Sequence, residues 1–321
     1  MRVKTKQYMQ LDGSLKNQVS EVGEGILRRF DKTEFPVKAD EIVCPHFMLL
    51  AWANGCPYNC SFCFLKGTFR FRGQHENGRV PLIFKDRGRI EKHLQAFLEA
   101  KNLPPEIINC GELSDGLCDE GTREKETFSE FIMKMITETQ HKVLFLTKST
   151  NIAKFLENNW QKNAILAWSI NAPEASKTWE QYAPNPIERL EAAKQVSEAG
   201  YEVRLRIDPM IPIENWKEAY SSLVEEIYSR LKPTVITLGC LRGLTTTIIY
   251  AKDKSWVKYL AEKSNWGKRP PHNQRLEMYQ TVISKTRTHD QTVRIGICKE
   301  TLAMYALLKM KPSEIRCNCT W

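Results

Sequence analysis

Three cysteines lie close together in the stretch GCPYNCSFCFLKG, which spans residues 55–67. They are Cys56, Cys60 and Cys63, and their spacing is C-x3-C-x2-C. Three thiolates within eight residues can surround one four-iron cluster, and they leave its fourth iron open to a small molecule. A zinc site is the alternative, but zinc takes four ligands, commonly in C-x2-C pairs, and this spacing fits that pattern poorly. The spacing therefore predicts a catalytic [4Fe–4S] cluster.

A second group of cysteines, Cys298, Cys317 and Cys319, lies in the segment 296–321. Three interpretations are open. The thiols can ligate an auxiliary iron–sulfur cluster. They can instead form a soft-ligand substrate site or a hydrogen-donating thiol, with Cys317 and Cys319 catalytic, because thiolates suit arsenic(III) and transition metals. The third interpretation is a buried free cysteine followed by a frayed tail.

The composition excludes some classes of protein. The 321 residues are 42% hydrophobic, which suffices for one large α/β barrel or two modest domains. No apolar run approaches 18 residues, and the polar N-terminus lacks the apolar stretch of a secretory signal. We therefore expect a cytoplasmic protein with no membrane contact, in which ten cysteines indicate metal or redox chemistry before disulfides.

The net charge of +9 is concentrated in two segments, residues 66–92 and 252–275. Basic clusters of this kind attract nucleic acid or another anion. The alternative is an ordinary solvated basic face. Nucleic acid is therefore one candidate partner of this chain.

Alternating strands and helices must position these residues. Apolar runs predict strands at 46–53, 106–111, 142–148, 164–170, 201–207, 234–240 and 292–298. Helical patterns fall at 89–101, 122–139, 150–159, 186–199, 215–231 and 273–288. Strands joined by helical crossovers form parallel sheets, so we expect an α/β fold, a partial TIM-like (β/α)6 barrel, with a doubly wound sheet as the alternative.

The predicted organisation has three parts. Residues 1–45 form an N-terminal extension, residues 46–240 form the barrel core, and residues 241–321 form a C-terminal region that carries the cysteine-containing extension. Two segments, 64–88 and 241–274, break the alternation. Both are candidate substrate loops, since irregular segments on a rigid scaffold often carry function.

The cysteine loop, with the aromatic Phe62 before its last cysteine, resembles the hallmark of the radical S-adenosylmethionine (SAM) superfamily. The resemblance implies a [4Fe–4S] cluster whose open iron binds the amino and carboxylate groups of SAM. One-electron reduction then cleaves SAM, and Phe62 lies beside the adenine. It also implies an electron donor such as flavodoxin or ferredoxin.

Three later segments resemble the spore photoproduct lyase branch of that superfamily: FLTKSTNI (145–152), AWSINAPEA (167–175) and RLEAAKQVSEAGYEV (189–203). The resemblance covers most of residues 46–235. It implies that Lys148 pairs with the SAM carboxylate and that Ser169 and Asn171 hold polar atoms of SAM. Glu112 and Ser114, in NCGELSDG, would bind SAM after the second strand. The alternative is that Lys148 ends a strand and Glu112 caps a helix.

The chain departs from the lyase at its reactive residues. Phe62 and Phe64 stand where the lyase has two relay tyrosines, and they have no O–H group to donate. Glu112 aligns with the hydrogen-donating cysteine of the lyase. Cys110 is an imperfect substitute, two residues away and on the same face of a regular strand. These departures argue against repair of a thymine dimer.

Asp208, in RIDPMIP, ends the fifth predicted strand and should face the barrel mouth. It would contact the SAM ribose or the substrate, or cap the following turn. Three functions are then open. The first is a radical SAM enzyme that acts on a nucleic-acid base or nucleotide. The second acts on a small molecule, a peptide or a soft element held by the C-terminal cysteines. The third is a non-catalytic metal protein that binds nucleic acid.

Overall fold

The computed structural model describes residues 1–122 and 126–321. Its strands are β1 Val3–Met9, β2 Leu15–Val22, β3 Leu27–Phe30, β4 Ile42–Val43, β5 Phe47–Leu50, β6 Ala53–Asn54, β7 Asn59–Cys60, β8 Ile83–Phe84, β9 Ile107–Asn109, β10 Lys142–Thr147, β11 Ala164–Ile170, β12 Glu180–Gln181, β13 Glu202–Met210, β14 Val235–Cys240, β15 Glu262–Ser264, β16 Gly267–Arg269, β17 Arg294–Ile297 and β18 Glu300–Thr301. Its α-helices are α1 Leu65–Thr68, α2 Arg87–Leu98, α3 Phe128–Ile136, α4 Ala153–Glu157, α5 Pro173–Trp179, α6 Pro186–Glu198, α7 Trp216–Tyr228, α8 Thr245–Tyr250, α9 His272–His289 and α10 Leu302–Leu307.

The main sheet has ten strands in the order β1-β2-β3-β5-β9-β10-β11-β13-β14-β17. The seven strands from β5 to β17 run parallel, and each coincides with one of the predicted strands. This confirms the α/β fold with a parallel sheet. The N-terminal strands β1 to β3 continue the same sheet, because β3 pairs antiparallel with β5 from Leu27↔Leu50 to Phe30↔Phe47. The three strands within residues 3–30 therefore extend the main sheet, and the predicted division of the chain at residue 45 stays a prediction.

Each of the six predicted helices has a counterpart in the structure. The start of α6 shows which residues set its position. Pro186 occupies its first turn, and Asn185 and Glu188 form a capping box, in which the Asn185 side chain accepts from the Glu188 amide. The helix predicted at 122–139 is observed as α3, and the residues 123–125 within that range lie outside the described part. The sequence did not predict the four short helices α1, α5, α8 and α10. No helix in the described residues is long and apolar enough to span a bilayer.

The parallel strands bury two faces. Val143, Phe145, Leu166 and Trp168 belong to the large core beneath the helices. The alternate residues form a smaller apolar cluster on the inner face: Ile107, Leu144, Leu146, Ile165 and Ala167. Towards β13 and β14 the inner face turns polar, with Arg204 and Thr237 both buried. Buried polar groups require hydrogen-bond partners, so Arg204 and Thr237 must find theirs in another segment of the chain.

The C-terminal segment 315–321 supplies those partners. Nη1 of Arg204 donates to the carbonyl oxygens of Asn318 at 2.7 Å and Thr320 at 2.6 Å. The Thr237 hydroxyl donates to Oδ1 of Asn318 at 2.7 Å and accepts from the Asn318 amide at 2.8 Å. The segment therefore lies against the inner face of the sheet, and the interpretation of a frayed tail is wrong.

Candidate functional site

The cysteine loop begins where β6 ends. Gly55 starts it with a φ of +90°, and a Cβ atom there would lie 1.9 Å from the Pro81 carbonyl oxygen, so only glycine fits. Cys60 lies in β7, which pairs with β12 through Cys60↔Glu180. Cys60 is buried, and Cys56 and Cys63 are half-buried. The loop thus holds three free thiols against the carboxyl ends of the parallel strands.

The three thiols lie near one another and are largely shielded from solvent, Cys60 most of all. Burial raises the pKa of Cys60 to about 12, and the neighbouring Cys63 contributes to the rise. Burial, Asp115 and the other two thiols likewise raise the pKa of Cys56. Buried thiols of this kind ionise only when positive charge is supplied, as a bound metal centre does.

A cluster fits these thiols better than a single ion does. Within residues 1–122 and 126–321, no three His, Cys, Asp or Glu side chains are placed to hold one metal ion. Each iron of a cluster takes its own thiolate, so the sulfurs need not converge on one atom. The three cysteines of the loop therefore fit the predicted [4Fe–4S] cluster.

Lys148 directly follows β10 and lies beside the loop. Its Nζ is 3.1 Å from Oε1 of Glu180, and Nη1 of Arg189 is 2.6 Å from Oε2 of the same carboxylate. Burial opposes ionisation of Glu180, but the two cations outweigh it and lower its pKa to about 2. The positive charge of Lys148 also lowers the pKa of Cys60. A cationic group that binds carboxylate therefore lies next to the cysteines.

Asn171 and Ser169, at the end of β11, differ in their contacts. The Asn171 amide is fully buried, and its Oδ1 accepts from the Tyr220 hydroxyl at 2.8 Å and from the Ala172 amide at 2.9 Å. Its Nδ2 is 3.5 Å from Oε1 of Glu180. Ser169 is half-buried. The contacts of Asn171 make it a positioning residue for Glu180, while its predicted contact with SAM stays a prediction.

Asp115 was not singled out from the sequence, although it follows Ser114 after the second predicted strand. Its carboxylate accepts from the Thr147 hydroxyl at 2.6 Å and from the Lys148 amide at 2.7 Å. The Ser114 hydroxyl lies 3.1 Å from Sγ of Cys118. Asp115 therefore fixes the backbone from which Lys148 projects.

Asp208 lies in β13, and two arginines hold its carboxylate. Arg206 lies 2.6 Å from Oδ2, and Arg242 lies 2.7 Å from Oδ1. Burial opposes this ionisation, yet Arg242 and Arg206 lower the pKa of Asp208 well below its usual range. In the structure Asp208 is therefore the shared ion-pair partner of Arg206 and Arg242. The sequence predicted a contact with SAM or substrate, or a turn cap, and did not predict this ion pair.

Cys110 lies on the other side of the sheet from Glu112. It is 1% exposed within the large core, where the Trp52 indole donates to its carbonyl oxygen at 2.8 Å. Glu112 lines a small interior cavity instead. The strand ends at Asn109 and the chain bends at Gly111, whose backbone lies against Leu146, so the alternation stops there. The prediction that Cys110 shares a face with Glu112 is wrong, whereas its predicted catalytic role stays a prediction.

The C-terminal cysteines do come together, and the sequence did not reveal their fourth member. Cys298, Cys317 and Cys319 line one cavity of about 30 Å³ with Glu112 and Arg206. Cys44, from the segment between β4 and β5, lines the same cavity. The pairing of β4 with β18 brings Cys44 there. A single cysteine at position 44 gives no signal in the sequence that it lies near the other three.

The two segments predicted as substrate loops form one surface beside the cysteine loop. Nζ of Lys252 donates to the Glu76 carbonyl oxygen at 2.6 Å, and the Ser61 hydroxyl donates to Oδ2 of Asp253 at 2.8 Å. We call the exposed or half-exposed members of this surface the basic rim: Arg70, Phe71, Arg72, Arg79, Tyr182 and Lys252. Lys66 is not among them, because it is buried and donates to Asn59 and Gly78.

Comparison with protein families and curated proteins points to one group. A family model described as spore photoproduct lyase matches residues 47–240. The spore photoproduct lyase of Clostridium acetobutylicum is 28% identical over 185 residues, which cover 56% of this chain and 51% of that protein. The Bacillus subtilis lyase is 27% identical over 191 residues, covering 58% and 52%. The chain spans about half the length of the curated relatives it matches.

Solved structures show the same fold. A spore photoproduct lyase complexed with dinucleoside spore photoproduct has a TM-score of 0.64 at 16% identity, covering 77% of this chain and 75% of that one. Streptococcus suis SuiB bound to S-adenosylmethionine has a TM-score of 0.50 at 14% identity, covering 81% and 51%. These likenesses confirm the predicted partial barrel. Because the family model matches more than half of its residues, the chain belongs to the spore photoproduct lyase family of the radical SAM superfamily.

Proposed function

We propose that this chain is a radical SAM enzyme that holds a [4Fe–4S] cluster through Cys56, Cys60 and Cys63. The observation that carries the proposal is the group of three neighbouring thiols on one loop, with the Lys148 ammonium beside them. Such a cluster supplies the electron that cleaves a sulfur–carbon bond of SAM. A small reductant such as flavodoxin or ferredoxin would reduce it.

The chain's own residues suit a zwitterionic ligand. Lys148 offers a cation that already binds one carboxylate, and it is the more accessible of the two cations on Glu180. Glu112 offers a half-buried carboxylate for an ammonium group. Phe62, half-buried in the loop, offers an apolar face for adenine. Ser114 and Ser169 would add hydrogen bonds, and Asn171 would act through Glu180.

For the substrate we propose a nucleic-acid base or nucleotide. The basic rim lies beside the cysteine loop and combines cations with exposed aromatic rings: Phe71 is 83% exposed, and Arg79 lies 5.2 Å from the ring centroid of Tyr182. Single-stranded nucleic acids bind surfaces of this kind, where bases stack on the rings and phosphates pair with the cations. A relative was solved with dinucleoside spore photoproduct. Since Phe62 and Phe64 replace tyrosines, we expect a reaction that differs from the lyase reaction.

A second candidate substrate is a small molecule, a peptide or a soft element. The cavity lined by Cys298, Cys317 and Cys319 favours it, because Glu112 and Arg206 connect that cavity to the side of the cysteine loop. Under this candidate the thiols would bind the substrate, or one thiol would donate a hydrogen atom to a substrate radical and become a thiyl radical. The non-catalytic alternative would bind nucleic acid without cleaving SAM.

Anaerobic reconstitution with chemical reduction tests the proposed enzyme. We expect the protein to convert SAM to 5′-deoxyadenosine, and Cys63→Ala to abolish both the conversion and the binding of the loop cluster. Cys240→Ala, a cysteine in the apolar core, is the matched control and should retain both. Absence of any SAM cleavage product from the iron-loaded protein would overturn the proposal. Methylthioadenosine would instead show transfer of the aminocarboxypropyl group.

Binding of fluorescent single-stranded DNA and RNA tests the substrate class. We expect affinity at low salt that falls steeply as salt rises, because each phosphate contact releases counterions. The double change Arg72→Glu and Arg79→Glu should weaken binding at least tenfold and flatten the salt dependence. Arg294→Glu, an exposed arginine on β17, is the control. Lack of binding at low salt would favour the small-molecule candidate.

A further inference from the structure

Four cysteines from three separate segments meet at one cavity, which Cys44, Cys298, Cys317 and Cys319 line together. The short antiparallel pair of β4 and β18 joins the chain just before β5 to the chain just after β17, through Val43↔Glu300 and Ile42↔Thr301. Cys44 follows β4 and Cys298 precedes β18, so this pair brings the two cysteines close together.

The C-terminal segment brings the other two thiols. Its hydrogen bonds to Arg204 and Thr237 fix Asn318, the residue between Cys317 and Cys319. The segment passes so close to β17 that a Cβ atom on Gly296 would lie 2.7 Å from Cβ of Cys317. Cys317 and Cys319 are therefore held by the backbone on both sides, and their positions do not depend on a mobile loop.

Donors and cations point at these sulfurs. Nζ of Lys299 lies 3.3 Å from Sγ of Cys44, and Nη2 of Arg206 lies 3.3 Å from Sγ of Cys298. Arg242 approaches Cys298 at 3.9 Å, and the Asn109 amide approaches Cys319 at 4.0 Å. Four thiolates around a metal centre carry excess negative charge, which neighbouring cations offset. Arg206 and Arg242 also bind the Asp208 carboxylate, so the cations beside these sulfurs are held in place by other contacts as well.

We propose that Cys44, Cys298, Cys317 and Cys319 ligate a second iron–sulfur cluster, separate from the one in the loop. Four cysteines are the usual ligand set of two-iron and four-iron clusters. A single thiolate-bound ion fits less well, because no three of these side chains, within the described ranges 1–122 and 126–321, are placed to hold one ion. The same holds for Cys56, Cys60 and Cys63 in the cysteine loop.

The proposal does not depend on SAM chemistry, so its test removes the loop cluster. In the variant C56A/C60A/C63A, anaerobic reconstitution should still give about two to four irons per chain with a matching amount of sulfide. Mössbauer spectra should show one cluster type. Adding Cys44→Ala or Cys319→Ala should remove that iron, whereas adding Cys118→Ala should not. Circular dichroism reports whether each variant is folded.

The overturning results are equally specific. A folded C56A/C60A/C63A protein that takes up no iron and no sulfide would refute the second cluster. One zinc ion, or one arsenite, bound without sulfide would also refute it and would show a mononuclear thiolate site. If that variant does not fold, the iron count of the unsubstituted protein decides: about four irons per chain refute the second cluster, and six to eight support it.

Discussion

Glu180 binds two cations of unequal accessibility. Nζ of Lys148 lies 3.1 Å from one carboxylate oxygen, and Nη1 of Arg189 lies 2.6 Å from the other. The side chain of Lys148 is 14% exposed and that of Arg189 is fully buried. The carboxylate therefore neutralises one cation permanently, and the second remains available to a ligand beside the cysteine loop.

The Glu180→Gln variant should be strongly destabilised. It keeps the size of the side chain but leaves the buried Arg189 guanidinium without a counter-charge, which typically costs about 3–5 kcal/mol. Urea unfolding measures the difference. Glu157→Gln, which removes the carboxylate from an exposed pair with Lys154, is the control and should change stability little. Equal stability of the two variants would contradict the assigned role of Glu180.

The Lys148→Met variant should separate ligand binding from stability. It retains the apolar stem but loses the charge, so we expect SAM affinity to fall at least tenfold, the loss typical of one charge-assisted hydrogen bond. Cluster content should stay unchanged. Equilibrium dialysis with labelled SAM measures the affinity of the variant and of the unsubstituted protein, and an iron count measures their cluster content. Unchanged SAM affinity would show that Lys148 only neutralises Glu180.

The Cys110→Ala variant should leave SAM cleavage intact. The thiol lies in the large core, away from Glu112 and the interior cavity, so its removal costs only packing energy, about 1 kcal/mol. Product analysis tests whether SAM cleavage is intact, and thermal unfolding measures the loss of stability. A complete loss of turnover with unchanged SAM binding would show that Cys110 acts in the reaction after all.

His141 should make stability depend on pH. Burial lowers its pKa to about 4, below the ordinary 6.5, so the folded protein holds the neutral ring while the unfolded chain takes up a proton. The stabilisation is complete above pH 6.5 and is lost as the pH falls towards 4, by up to about 3 kcal/mol.

The His141→Gln variant isolates that contribution. Its free energy of unfolding should lie below that of the unsubstituted protein at pH 7, and the gap should narrow as the pH approaches 4. His75→Gln, at an exposed position, should show no such trend. A gap that stays constant with pH would contradict the assigned protonation state of His141.

The Thr237→Val variant tests the placement of the C-terminal segment. It removes a hydroxyl that donates to the side-chain oxygen of Asn318 and accepts from its backbone N–H. Both of these buried Asn318 groups would lose that partner, which costs about 1–3 kcal/mol of folding free energy. Thr245→Val, at an exposed position, is the control. Faster proteolysis after residue 310 in Thr237→Val alone would support the contact, and identical cleavage of both variants would argue against it.

The sequence predicts the parallel strands well because each is a short apolar run flanked by turns, and local pattern is enough for that. The sequence also predicts the loop cysteines as a group, because all three lie within eight residues and their spacing is visible locally. Residues whose partners are remote could not be found in this way. Cys44 and Glu180 depend on the short pairs β4–β18 and β7–β12, and no periodicity predicts two-residue strands.

Cys110 shows a different limit. The alternation of a regular strand predicted the face of Cys110, but the alternation stops where the backbone turns at Gly111, just beyond the end of β9. Site residues tend to lie just beyond strand ends, where the chain leaves the sheet. The alternation of side chains along a strand therefore stops predicting their direction just beyond the strand end, which is where site residues lie.

The contact of Arg204 with Asn318 also sets an order of events during synthesis. The two residues are 114 positions apart, and Thr237 is 81 positions from the same asparagine. On the ribosome, the strands β13 and β14 emerge long before residue 318 is made, and nothing yet covers the polar side chains of Arg204 and Thr237 on their inner face. The interior can become dry only after this late segment arrives, so the nascent barrel passes through a water-filled stage that a chaperone could recognise.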